Sequence, residues 1–80
     1  MSLVVSAVVT LAGPESTRAR ARACIAARPE IECGAEVDSR LPIVATTACR
    51  SDDEALWRAI AALDGVVAVA HVFAAWEVDP

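Results

Sequence analysis

The sequence predicts an α+β domain of order βαββαβ, and three observations carry that reading. Short stretches rich in β-branched residues alternate with longer stretches of helix formers along 80 residues. Proline and glycine punctuate the borders of those stretches, at "AGP", "RPE" and "LDG". The segments also divide into two β-α-β halves of similar length, and "ARPEIECGAEV" faintly echoes "ALDGVVAVAHV". Two such units, each crossing over with the usual right hand, interleave into a four-stranded antiparallel sheet with both helices on one face. In this ferredoxin-like arrangement the first and third strands are central and the second and fourth lie at the edges. A chain of this size removes only roughly 60% of its unfolded surface from water, so residues 1–80 are read as a single domain with a modest core.

Leu3 to Val9 is valine-rich and too short for a stable helix. It reads as a strand with Leu3, Val5, Ala7 and Val9 on one face and Val4, Ser6 and Val8 on the other. Pro14 suits a first helical position, where its missing N–H has no intrahelical partner to lose. The helix then runs from Glu15 to about Arg28 with Ala21, Cys24, Ile25 and Arg28 on one stripe, and Pro29 stops it. Ile31, Cys33, Ala35 and Val37 alternate with Glu32, Gly34, Glu36 and Asp38, the clearest strand pattern in the chain. Carboxylates on its wet side discourage edge-to-edge pairing and suit an edge strand.

A third strand is expected from about Ile43 to Cys49. In "SDDE" the Ser51 hydroxyl is placed to accept the Glu54 N–H while the Glu54 carboxylate reaches back, a capping box. Leu56, Ile60 and Leu63 supply the core stripe of the second helix, with Ala59 beside them and Trp57 packed next to it. Gly65 ends it, and the last strand runs from Val66 to about Trp76.

Composition narrows the function classes. The net charge of −4 repels a phosphate backbone, so nucleic acid is not the expected partner. Arg18, Arg20 and Arg22 spread around a helix and read as a solvated face. Cys24, Cys33 and Cys49 are odd in number and widely spaced, which fits reduced thiols acting as small buried hydrophobes in a cytoplasmic protein. The opening "MSLVVSAVVTLAG" lacks a basic n-region and reads as the first strand rather than a leader. Nothing approaches the roughly 20 apolar residues of a membrane span.

The residues that carry chemistry are few. His71 is the one histidine, and no glycine-flanked nucleophile or phosphate loop accompanies it. Three cysteines and His71 lack the paired spacings of a zinc site, and "LAGPES" lacks the close cysteines of a copper carrier. No catalytic residue, metal or cofactor is therefore expected. His71 reads as part of a packing surface or of a binding surface, depending on the sheet face it occupies.

What stands out is surplus apolar surface. Two helices cover one side of a sheet, yet the first and last strands are apolar on both sides. A contiguous exposed patch beyond a few hundred square ångströms marks a place where something binds.

An N-terminal "SLVVSAVV" strand, a helix ending at "ARPEIE" and a helix closing into "LDGVVAVAHVF" occur in this order from about Ser2 to Trp76. Together they resemble the NapD family of small cytoplasmic chaperones of the periplasmic nitrate reductase. Thr46 and Thr47 in the third strand, and the imidazole of His71, depart from the more aliphatic pattern expected there. The resemblance implies a protein without catalytic activity or cofactor. It implies binding to the twin-arginine signal peptide of the reductase catalytic subunit, restraining export until the molybdenum cofactor is loaded. On that expectation Val4, Ser6, Val8, Val44 and Thr46 form a floor for the peptide, with His71 beside it. Glu32 and Glu36 contact or steer its arginines. Two alternatives compete: a small-molecule-binding regulatory domain of the ACT or Lrp type, and a homodimer that buries the sheet.

Overall fold

The computed structural model describes residues 1–78. Its elements are β1 (Ser2–Leu11), α1 (Glu15–Ala26), β2 (Ile31–Cys33), β3 (Arg40–Thr47), α2 (Arg50–Ala61) and β4 (Val66–Glu77). The sheet order is β2-β3-β1-β4 with every neighbouring pair antiparallel, so β1 and β3 are central as predicted. The chain has the ferredoxin-like α+β fold.

The predicted alternation in β1 is realised. Leu3, Val5, Ala7, Val9 and Leu11 are buried, and β3 adds Leu41, Ile43, Ala45 and Thr47. Ala21 and Ile25 of α1 and Leu56, Trp57 and Ile60 of α2 close over them. Val9, Ile25, Ile43 and Ile60 are wholly enclosed. Burying each such side chain contributes about 1.5–3 kcal/mol.

The second strand differs most from expectation. β2 pairs only through Ile31, Glu32 and Cys33, opposite Ala45, Val44 and Ile43. At the next position the Gly34 N–H donates to the Pro42 carbonyl at 2.8 Å, but Pro42 has no N–H to return. Pairing resumes at Val37 and Arg40, whose N–H groups donate to each other's carbonyls at 3.0 Å. These bonds close a turn with φ of 51° at Asp38 and 64° at Ser39, the doubly left-handed backbone of a type I′ hairpin turn. Between the two paired positions, Ala35 and Glu36 stand opposite Leu41 alone, a bulge that breaks the alternation. Glu36 thereby leaves the wet face on which its spacing put it.

Other boundaries shift for local reasons. β3 begins at Arg40 rather than Ile43, because the hairpin brings Arg40, Leu41 and Pro42 into register with Thr10, Val9 and Val8. α1 ends at Ala26, and α2 starts at Arg50. The N-cap of α2 is Cys49, which makes no side-chain capping bond, so the capping box expected at Ser51 is not formed. The Ser51 hydroxyl instead lies 3.2 Å from the Cys49 sulfur. All three cysteines are free and exposed, contrary to their expected burial. Cys24 falls off the Ala21–Ile25 stripe, and partial burial at the sheet edge still pushes the Cys33 thiol pKa up.

β4 follows β1 in antiparallel register with two shifts, which insert Val67 and Val72 as extra residues. The turn before it brings Gly65, with φ +94°, close against Thr17 of α1. Among the described residues, no helix is long and apolar enough to cross a membrane.

Candidate peptide-binding face

The face of the sheet away from the helices is built by the residues that alternate with the core. Register sets Val4 opposite Thr46, Ser6 opposite Val44 and Val8 opposite Pro42 between β1 and β3. Glu32 joins them opposite Val44. From β4, Phe73 lies opposite Ser6 and Ala70 opposite Val8. Val4, Ser6, Val8, Val44, Thr46 and Glu32 therefore share one open face, as the sequence reading placed them.

A groove of about 310 Å³ crosses this face, lined by the side chains of Ser6, Val8, Glu32, Pro42, Val44 and Val72, with Gly34 at its end. Val4 and Thr46 lie on the same face but outside the groove. Gly34 allows the backbone to close on the proline ring, since a Cβ there would stand 2.9 Å from Pro42 Cγ. The floor is apolar and Glu32 forms the charged wall. Among the described residues, no guanidinium lies in salt-bridge contact with the Glu32 carboxylate.

Pro42, Val72 and Phe73 were not foreseen as part of the face. Pro42 precedes the strand as it was read from sequence. Alternation along β4 sets Val72 on the side of Ala70, which faces Val8, and there it lines the groove. Strict alternation along β4 would put Phe73 on the side of Val67, Val69 and His71, but the register shift at Val72 moves it across, opposite Ser6.

Two of the predicted site residues lie elsewhere. His71 stands opposite the buried Ala7, on the helix side of the sheet. Its ring meets Trp57 edge to face, with centroids 4.7 Å apart and planes at 78°. Asp53 orients that indole by accepting its Nε1–H at 2.8 Å. His71 also borders a cleft of about 370 Å³ beside α2 with Trp57, Ala61, Val66 and Val69. Its part in the open face is thus corrected: it packs the edge strand against α2.

Glu36 is the second. Arg22 grips its carboxylate through Nε at 2.5 Å and Nη2 at 3.2 Å. The hydrogen bond from Arg22 holds the Glu36 carboxyl below its ordinary range, and the same bond raises the guanidinium pKa further. Arg18 donates to Ser39 Oγ at 3.1 Å and to Glu15 at 2.6 Å. Two arginines of the predicted solvated run are therefore engaged in tying α1 to the bulge and hairpin, while Arg20 is exposed.

A further cleft of about 490 Å³ lies where the α1–β2 connection, β3 and α2 converge, with Arg28, Glu30 and Asp52 on its walls. Among the described residues, no three His, Cys, Asp or Glu side chains cluster to hold a metal ion. No family model matches the chain, and no curated protein or solved structure matches it either.

Proposed function

We propose that this protein is a cytoplasmic chaperone of the NapD type. It binds the twin-arginine signal peptide of the periplasmic nitrate reductase catalytic subunit and restrains export until the molybdenum cofactor is loaded. It acts by binding alone, without catalysis or a cofactor of its own. The observation that supports this reading is the groove of the open face, where an apolar floor of Val8, Pro42, Val44 and Val72 runs beside the Glu32 carboxylate. A signal peptide carries matching chemistry, an apolar segment next to an arginine pair. Glu32 takes the role of steering those arginines, which changes association rate and salt dependence more than affinity. Glu36 is left out of that role by its pairing with Arg22.

The deciding experiment is a calorimetric titration with the twin-arginine signal peptide and with its Arg→Lys version. Saturable binding that weakens for the lysine version supports the reading, and no binding of either overturns it. The regulatory-domain reading draws on the cleft with Arg28, Glu30 and Asp52, whose opposite charges would suit an amino acid. Saturable binding of a free amino acid in place of the peptide would favour that reading.

A further inference from the structure

β4 is the long free edge of the sheet. Among the described residues its one neighbouring strand is β1, so one side of a 12-residue strand presents its backbone donors and acceptors to no other strand of the sheet. The opposite edge, β2, spans three residues and ends at the bulge before the hairpin turn. Edge strands of soluble proteins are commonly guarded by lysine, proline or an inward charge. β4 has neither lysine nor proline, and Glu77 at its end is its one carboxylate. Val72 is 69% exposed, Phe73 60% and Trp76 43%.

We infer that β4 pairs antiparallel with β4 of a second copy of this chain, joining two sheets into one continuous sheet about a two-fold axis. Such self-pairing requires helix-side residues to meet helix-side residues. Val69, His71, Ala74 and Trp76 lie on the helix side, opposite Val9, Ala7, Val5 and Leu3, whereas Ala70, Phe73 and Ala75 lie on the open side. The extra residue at Val72 lets the sides match when the axis passes between Val72 and Phe73. That register pairs Val72 with Phe73, His71 with Ala74 and Val69 with Trp76 across the axis, covering the exposed apolar side chains named above.

The matched register and the scarcity of charge along β4 favour a second copy as the occupant. Each chain carries −4, so two copies repel overall, but antiparallel pairing about this axis sends the two Glu77 carboxylates to opposite ends of the contact. Two acidic copies thus meet along their least charged edge. Each copy has one long free edge, so assembly closes at two rather than growing into a filament. A standard interface takes about 20–30 residues a side, and a 12-residue strand supplies fewer. The dimer is therefore weak and concentration-dependent.

Sedimentation equilibrium of the full chain from micromolar to millimolar concentration tests this. The mass is expected to rise from 8.3 kDa toward twice that value and stop there. Ala74→Lys, on the helix side of β4 and off the open face, is expected to weaken association about tenfold or more. Amide exchange reads the same contact without mutation, as protection of Val69–Trp76 that grows with concentration. A monomer at millimolar concentration overturns the inference. So does growth beyond a dimer, or a dimer that survives Ala74→Lys and is lost with Val44→Glu, which would place the contact on the open faces.

Discussion

The imidazole of His71 stands edge to face against the indole of Trp57, at 4.7 Å between centroids, and fastens the edge strand β4 to α2. Such aromatic pairs contribute about 0.5–1.5 kcal/mol beyond the area they bury. His71 is exposed, so His71→Ala is expected to destabilise by the lower part of that range, read from urea midpoints. Because the ring lies on the helix side, His71→Gln is expected to leave the proposed signal-peptide binding unchanged between about pH 5.5 and 8. A pH profile that flattens in this variant would return His71 to the binding surface.

Val8 lies at the centre of the open face and lines its groove. A carboxylate at this position faces solvent in the free protein but lies in the floor that the proposed peptide would cover. Val8→Glu is expected to abolish peptide binding while shifting stability by less than about 1 kcal/mol. Global unfolding of this variant, seen by circular dichroism, would mean that the face is a core surface.

Gly65 adopts φ +94°, and a Cβ there would lie 3.1 Å from Thr17 Cγ2 and 3.3 Å from the Thr17 carbonyl oxygen. An L-residue is strained in that backbone and crowded by a main-chain atom. Gly65→Ala is expected to cost about 1–3 kcal/mol, measured by chemical denaturation.

The Arg22–Glu36 pair makes stability depend on pH with a definite sign. The folded state lowers the Glu36 pKa, so the contribution is present above the ordinary carboxylate range and is lost as pH falls through the folded value. Glu36→Gln is expected to lower the thermal midpoint near neutrality and to converge on the parent as the solution is acidified. Both side chains reach solvent, so added salt narrows the gap as well.

Cys49 caps α2 with extended backbone, φ −153° and ψ 166°, but its side chain accepts no backbone N–H of the first turn. Serine accepts an N–H bond in that geometry. Cys49→Ser is expected to stabilise the fold by about 0.5–1 kcal/mol, seen as a higher urea midpoint with unchanged slope.

The predicted site was readable where alternation is unbroken. Val4, Ser6 and Val8 follow from the period of β1, because a strand with one face buried sets the other by geometry. Val44 and Thr46 follow in the same way from β3. Glu36 did not, since Pro42 interrupts the ladder and the resulting bulge reverses the side on which later residues fall. Phe73 crossed faces for the related reason that Val72 is an extra residue against β1. Such shifts are set by pairing partners that lie far along the chain.

The sequence by itself determined the order of elements, the two helices on one side and the apolar surplus on the other. Those follow from local period, from the residues that punctuate it and from the right-handed crossover. Tertiary structure alone decided where β2 ends, which acid the arginines of α1 hold and on which side His71 packs. Each of these depends on a hydrogen-bond ladder between distant segments, and a single missing donor or inserted residue in that ladder moves every side chain beyond it.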